Sequence, residues 1–299
     1  MQTLEQWQQQ GQLFKFNAHD IFYRVSEKEN APTLLLIHGF PTSSWDFSKI
    51  WQPLSKHFNL ITLDMLGFGF SSKPMPHEYS IFEQADIYEA FLAHLNIHEF
   101  HIFAHDYGDT VAQELLARHQ TTHKLKSCIL TNGGLFPETH QPVFIQKLLL
   151  SPLGGLVTKF MTYKKFKKTF DTICAKPLEQ AELQGYWRQL QFNNGKAAIP
   201  KLIQYMPERK INRERWVGTL QNTQVPLHLI DGLLDPISGE HMVKRFEELV
   251  PNASVTKLAD TGHYPQVESP EAVLDGAIDF YQQLKIISTN KESKSQKSN

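Results

Sequence analysis

The sequence predicts an α/β protein: a mostly parallel, eight-stranded sheet with helices on both faces and an inserted helical cap. Short apolar runs alternate with helical patterns over roughly the first 130 residues; helical patterns alone follow, and the alternation resumes near residue 225. Such alternation is typical of parallel strands that are covered by helices on both sides. A chain of 299 residues is long enough for one such domain with an insertion.

The strands are predicted from short apolar runs that end in turn residues. These runs lie at 12–16, 19–25, 33–38, 58–63, 99–104, 125–131, 225–230 and 254–258. Helices with one apolar face are predicted between them, at 45–56, 81–95, 110–119, 241–249 and 270–284. Ser80 and Glu83 form a capping-box pattern at the start of the second of these helices.

The chain divides into two parts of a core, an insertion and a tail. Residues 135–216 are rich in Phe, Tyr, Lys and Gln at helical spacing, so we predict a helical cap between core segments 1–134 and 217–285. A cap over the carboxyl edge of a parallel sheet encloses a pocket where ligands bind. Residues 286–299 are dominated by Ser, Lys and Asn, which predicts a disordered tail.

Composition limits the classes of partner. The chain has 30 basic and 31 acidic residues and a net charge of −1, so no overall field attracts it to nucleic acid or to an anionic membrane. Its two cysteines, Cys128 and Cys174, do not form a disulfide framework. No apolar run approaches the ~18 residues that span a bilayer, and the start shows no signal-peptide pattern. We therefore expect a soluble, cytoplasmic protein without stable membrane insertion that takes a small, hydrophobic substrate.

Asp106 is the most informative residue. It follows the apolar run Phe100–Ala104 and precedes Tyr107 and Gly108, which is the small-x-nucleophile-x-Gly pattern of a nucleophile elbow. A carboxylate opens esters and amides poorly, but it can displace a leaving group at saturated carbon and form an alkyl ester. Epoxides and alkyl halides are therefore the first substrate classes to consider. The alternative is that Asp106 only caps the following helix.

Two further motifs follow predicted strands. In His38-Gly39-Phe40-Pro41, the backbone N–H of Phe40 can join that of Tyr107 in an oxyanion hole. In Asp231-Gly232-Leu233-Leu234-Asp235-Pro236, Asp235 is our choice for the acid that orients a histidine, because it lies beyond the turn glycine. An ordinary Gly-Pro loop and an Asp-Pro turn are the alternatives.

The third motif is Thr261-Gly262-His263-Tyr264-Pro265, after the last predicted strand. The chain holds 14 histidines, and only the position of His263 singles it out as the base. Nucleophile, acid and histidine at 106, 235 and 263 follow the chain order of α/β-hydrolases. The sequence thus predicts an α/β-hydrolase fold with an Asp-His-Asp triad.

These motifs, together with Asp64-Met-Leu-Gly-Phe-Gly-Phe-Ser71, resemble the epoxide hydrolase and haloalkane dehalogenase branch of the superfamily. Within the superfamily, several stretches also resemble the mesoderm-specific transcript proteins. These stretches are His38–Ser44, Tyr79–Ala85, His105–Asp109, Val111–Leu116, Asn132–Gly134, Phe136–His140 and Arg215–Gly218. The likeness extends from about residue 7 to 283 and is weakest in the cap.

The resemblance implies roles for cap tyrosines. Epoxide hydrolases place one or two of them over the pocket to hydrogen-bond the epoxide oxygen, and Tyr205 matches their second position. Tyr163 is the other candidate, and we place His38 with these two as substrate-positioning. A phenol suits this role because its proton can stabilise the developing alkoxide. Tyr205 filling the core of a cap helix is the alternative.

Haloalkane dehalogenases resemble one another in binding halide with a Trp after the nucleophile and with a cap Trp or an Asn in the first turn. This chain has Tyr107 and Phe40 at the two core positions, so the halide function is the runner-up. Fluoroacetate-type enzymes need an Arg near the elbow, which is missing here.

The predicted reaction is epoxide hydrolysis through an Asp106 ester, which His263-activated water then cleaves; no metal or organic cofactor is implied. A different class is a non-catalytic module that binds a hydrophobic ligand in the same fold. The basic, aromatic run Tyr163–Phe170 permits membrane contact, but the solvated face of a cap helix is the favoured explanation.

Overall fold

The computed structural model of the protein describes residues 2–288, and eight strands form a single sheet within them. The strands are β1 (Gln12–Phe16), β2 (His19–Ser26), β3 (Thr33–Ile37), β4 (Asn59–Leu63), β5 (Phe100–Ala104), β6 (Leu125–Thr131), β7 (Leu227–Gly232) and β8 (Ser254–Leu258). Strands β3, β5 and β7 are almost wholly buried, as apolar strands covered on both faces should be.

The strand order is β1-β2-β4-β3-β5-β6-β7-β8. Strand β2 pairs antiparallel with β1 and β4, and the remaining pairs are parallel. The chain leaves β3 toward β4 on one side, while β5 lies on the other side of β3, so the order reverses between β3 and β5. Ligands of open α/β sheets bind at this kind of reversal, beyond the carboxyl ends of the strands.

Helices pack on the sheet and across its carboxyl edge. They are α1 (Leu4–Gln9), α2 (Ser48–Leu54), α3 (Ile81–His94), α4 (Tyr107–His119), α5 (Phe144–Leu149), α6 (Gly154–Lys159), α7 (Tyr163–Ile173), α8 (Gln180–Gln191), α9 (Ile199–Leu202), α10 (Tyr205–Ile211), α11 (Arg213–Asn222), α12 (Glu240–Leu249), α13 (Pro265–Glu268) and α14 (Pro270–Gln283). Within the described range, no helix is both long enough and apolar enough to cross a bilayer.

Seven helices, α5 to α11, lie between β6 and β7. The predicted end of the cap at residue 216 falls inside α11. This helix packs against core helix α4, where the Trp216 indole N–H donates to Glu114 Oε2 at 2.8 Å. The division into core and cap stays a prediction, and its second boundary does not coincide with a break in the helix.

The predicted fold class is confirmed, and each predicted strand lies within two residues of an observed one. Helix α1 was not predicted, because its apolar face consists of only Leu4 and Trp7. The predicted tail was placed too early, since Ile287 is buried; its remainder, residues 289–299, lies outside the described range.

Candidate active site

Asp106 occupies a strained turn between β5 and α4. Its backbone has φ 50° and ψ −109°, a region that disfavours side chains, and its carboxylate makes no capping bond to α4. The helix-cap alternative is therefore wrong. Gly108 makes the turn possible, because a Cβ there would lie 2.4 Å from the carbonyl oxygen of Ile37.

The Asp106 carboxylate points toward the turn after β3. The backbone N–H of Phe40 donates to Asp106 Oδ2 at 2.9 Å, and the N–H of Tyr107 also stabilises the carboxylate. Both predicted oxyanion donors therefore lie at the Asp106 carboxylate. Tyr264 fixes the Phe40 peptide, since its hydroxyl donates to the Phe40 carbonyl oxygen at 3.1 Å.

His263 connects the two carboxylates of the predicted triad. Its Nδ1 lies 2.7 Å from Asp235 Oδ2, and its Nε2 lies 3.9 Å from Asp106 Oδ1. Burial alone would lower the pKa of His263, but the negative charges of Asp235 and Asp106 raise it to about 9. The structure therefore brings all three residues together at the sheet edge.

Asp235 is held as a carboxylate. Its oxygens accept hydrogen bonds from Asn132 Nδ2 at 3.1 Å, from Ser238 Oγ at 2.8 Å and from the Ile237 N–H at 2.8 Å, in addition to His263. Burial alone would raise the pKa of Asp235, but these bonds and the His263 charge hold it below its usual value. Asn132 and Ser238 were not predicted, because only the folded loops bring them to Asp235.

Asp231, the other acid of the same motif, has a different environment. Both of its carboxyl oxygens are buried without a hydrogen-bond partner. Burial raises the pKa of Asp231 well above its usual value, and the nearby Asp235 raises it further. A carboxyl group in this state suits neither charge stabilisation nor the orientation of His263.

A cavity of about 450 Å³ opens onto Asp106 and His263. Its other lining residues are mostly apolar and come from the turn after β3 and from helices α5, α6, α7 and α8, with Ile199 and Ile237 completing the wall. A largely apolar cavity with few polar groups at one end is the usual form of a small-molecule site.

Tyr205 lies beside Asp106, at the start of α10. Its ring packs against that of Tyr107 with centroids 4.6 Å apart, and its hydroxyl is oriented toward the Asp106 carboxylate. Burial raises the pKa of Tyr205, and the charge of Asp106 raises it further, so the phenol keeps its proton.

Arg209 is a site residue that sequence reasoning missed. Its guanidinium is buried 4.9 Å from the centre of the Tyr205 ring and donates to the Gly134 carbonyl oxygen, while its Nε has no partner. In the described part of the chain, no carboxylate lies within salt-bridge distance of Arg209. Its charge nevertheless lowers the pKa of Asp106 and of Tyr205. The spacing of four residues from Tyr205 was the available signal, since it places both on one helix face.

None of the three predicted substrate-positioning residues is among the residues that line the cavity, and of the three only Tyr205 lies beside Asp106. The His38 ring is buried under the turn after β3, where its Nδ1 bonds the Gly39 carbonyl oxygen and its Nε2 accepts the Met65 N–H. The structure therefore corrects the prediction that His38 positions the substrate. Burial lowers the pKa of His38 to about 4, so it stays neutral. Tyr163 packs against Trp187, with ring centroids 6.2 Å apart, and does not line the cavity.

Comparison with known proteins agrees with this architecture. The family model described as alpha/beta hydrolase fold matches residues 32–270. The mesoderm-specific transcript homolog protein of Bos taurus is 41% identical over 93% of this chain and 88% of its own length. LipZ of Mycobacterium tuberculosis is 36% identical over 92% of this chain and 97% of its own.

A solved structure gives the same result for the fold. The haloalkane dehalogenase DbeA of Bradyrhizobium elkani superposes with a TM-score of 0.78 over 92% of this chain and 98% of its own, at 20% identity. At that identity, the likeness concerns the fold alone. Together with the family match and the relatives above, it establishes that the chain belongs to the α/β-hydrolase fold family, in which it is similar to the mesoderm-specific transcript proteins.

Proposed function

We propose that the protein hydrolyses epoxides to vicinal diols through a covalent ester on Asp106. The observation that carries the proposal is the environment of this carboxylate. It lines an apolar cavity, makes no helix-capping bond, accepts the Phe40 N–H on Oδ2 and faces the His263 imidazole with Oδ1.

The first step uses the free oxygen of Asp106. Because Oδ2 is held by Phe40, Oδ1 attacks a ring carbon and the carbon–oxygen bond of the epoxide breaks. The departing alkoxide takes a proton from the Tyr205 hydroxyl, and the charge of Arg209 stabilises the phenolate that remains. The product is a hydroxyalkyl ester on Asp106.

The second step depends on His263. Ester formation removes the negative charge of Asp106, one of the two charges that raise the pKa of His263. The imidazole then releases its proton more easily and acts as the base toward water. Hydroxide attacks Cγ of Asp106, and the oxyanion forms on Oδ2, which already accepts the N–H of Phe40, while the N–H of Tyr107 also stabilises the carboxyl group.

Collapse of this intermediate completes the cycle. The bond between Cγ and the substrate-bearing oxygen breaks, and the diol leaves after taking the proton from His263. The second proton of the attacking water leaves Asp106 for solvent, and Tyr205 and His263 each regain a proton from solvent. Asp106 returns as a carboxylate that carries one oxygen from water.

The halide alternative is less well supported by the same contacts. The Tyr107 side chain does not line the cavity, and Phe40 brings only an apolar side chain to it, so neither supplies a halide donor from its side chain. Turnover should therefore be assayed with terminal epoxides and with 1-haloalkanes of the same chain length.

Tyr205→Phe separates these reactions. It should lower kcat for epoxides by about 10²–10⁴-fold, the usual contribution of a general acid. The matched control is Tyr163→Phe, which removes a cap phenol that packs against Trp187 rather than beside Asp106 and should leave kcat unchanged. Turnover of haloalkanes alone would favour the dehalogenase function, and saturable binding without product would favour a binding module.

A further inference from the structure

Three large apolar side chains are exposed at the opening of the cavity. Leu153, Leu156 and Phe160 are 58%, 53% and 61% exposed, and all three also line the cavity. Residues that both line a cavity and face solvent form its rim. Phe144, 79% exposed on α5, extends this apolar surface, because α5 packs against α6 and the two neighbours of Phe144 line the same cavity.

The segment that carries this rim is rich in lysine. Residues 141–173 contain six lysines and one acidic residue, Asp171, although the whole chain carries a net charge of only −1. On α7, the four lysines 164, 165, 167 and 168 are exposed, while Phe166 and Phe170 are buried. Only Lys167 of these four forms a salt bridge, with Asp171, and Lys165 itself lines the cavity.

An apolar surface bordered by unpaired lysines is the combination that binds anionic membranes. Apolar side chains enter the boundary between headgroups and acyl chains, and lysines attract the anionic lipids. A second copy of this chain fits less well, because a symmetric dimer through this face would oppose two sets of lysines. The whole-chain charge, from which we expected no attraction to a membrane, concealed this local asymmetry.

We propose that the rim formed by Phe144, Leu153, Leu156 and Phe160, with the lysines of α7, docks the protein on an anionic bilayer. Docking in this orientation turns the cavity opening toward the acyl chains. A long-chain amphiphilic substrate then reaches Asp106 without crossing water; this consequence, unlike the docking itself, rests on the proposed function.

The test is flotation of the full chain with vesicles, which needs no turnover. The protein should float with vesicles of phosphatidylcholine and phosphatidylserine, and much less with phosphatidylcholine alone. Raising the salt to 0.5 M should release it, because the Debye length falls to about 4 Å and screening weakens the attraction between the lysines and the anionic lipids. Absence of binding to the anionic vesicles at low salt overturns the proposal.

Two sets of variants locate the surface. Leu156→Ser with Phe160→Ser, and separately Lys164→Gln with Lys165→Gln and Lys168→Gln, should each reduce vesicle partitioning at least tenfold. The apolar control is Ile211→Ser, 82% exposed and outside the cavity lining. The charge control is the triple change of Lys28, Lys56 and Lys124 to Gln, exposed positions shortly before β3, β4 and β6, at the opposite edge of the sheet.

The controls decide the outcome. If they weaken binding as much as the rim variants do, the attraction is non-specific and the proposal fails. If the rim variants instead abolish a concentration-dependent dimer in sedimentation velocity, while vesicles bind nothing, the surface belongs to a second copy. Vesicle binding without turnover of any epoxide would sustain the docking and refute the proposed function.

Discussion

Asp106 Oδ1 and His263 Nε2 lie 3.9 Å apart, too far for a hydrogen bond and close enough for strong electrostatic coupling. The two groups therefore do not share a proton. Burial raises the pKa of Asp106 above its usual value, and the imidazolium charge of His263 offsets only part of this rise. This separation keeps the carboxylate available to a substrate carbon, and His263 stays close enough to activate water in the second step.

Arg209 should control the ionisation of Asp106. Arg209→Met removes a positive charge that lowers the pKa of this carboxyl, so the acid limb of kcat/KM should move to higher pH. The group is then ionised only above a higher pH, and kcat/KM on the acid limb should fall by roughly tenfold for each pH unit that the limb moves, equivalent to about 1.4 kcal/mol.

The control for this prediction is Arg213→Met, which removes an exposed arginine paired with Glu138 one turn further on. Arg209→Lys should restore part of the lost activity if charge is what matters. An unmoved acid limb in a folded Arg209→Met protein contradicts the electrostatic role.

Asp231 and Asp235 form a matched pair for testing the triad. Asp235→Asn removes the carboxylate that orients His263 and should lower kcat by about 10²–10⁴-fold. Asp231→Asn should leave kcat nearly unchanged, because Asp231 contacts no catalytic group. Equal losses in both variants would contradict the assignment of Asp235.

The same pair differs in stability. The folded pKa of Asp231 is raised by burial, so wild type loses stability as pH rises above the unfolded value of about 3.9. Asp231→Asn has no such proton, and its advantage over wild type in urea unfolding should grow with pH by at most about 1.4 kcal/mol per unit. A difference that stays constant from pH 5 to pH 8 would show that the pKa of Asp231 is not raised.

Alanine substitutions at two helical glycines distinguish the effect of close packing on stability from the effect of helix propensity. Gly108→Ala should lower the free energy of unfolding by about 1–3 kcal/mol and impair turnover, because a Cβ would meet the carbonyl oxygens of Ile37 and His38. Gly218→Ala in α11 meets nothing within 4 Å and should raise it by up to about 1 kcal/mol. Urea unfolding measures both, and a tolerated Gly108→Ala would contradict the described elbow.

Local sequence determined much of this architecture. Apolar strands with glycine turns fix where the parallel strands end, so residues 106, 235 and 263 could be expected at one sheet edge. The direction in which a side chain points could not be predicted in the same way. His38 lies in a motif as good as that of His263, yet its ring turns into the core, where Met65 and Gly39 satisfy both nitrogens.

The cap was harder to interpret for a physical reason. Its helices have several apolar faces, and packing of one helix on another decides which tyrosine lies beside Asp106. Tyr163 packs against Trp187, whereas Tyr205 lies beside Asp106 between Tyr107 and Arg209. The spacing of Arg209 from Tyr205 indicated a shared helix face but not the burial of its charge, because an arginine at helical spacing is ordinarily exposed.

The most direct test of the covalent route is the fate of oxygen from heavy water. During repeated turnover of an epoxide in H₂¹⁸O, mass spectrometry of the peptide containing residue 106 should show ¹⁸O in the Asp106 carboxylate. His263→Gln should instead accumulate the alkyl ester, seen as a protein mass increased by one substrate, and Asp106→Asn should form no such ester. Proven hydrolysis with ¹⁸O in the diol from the first turnover and none in Asp106 would contradict the account.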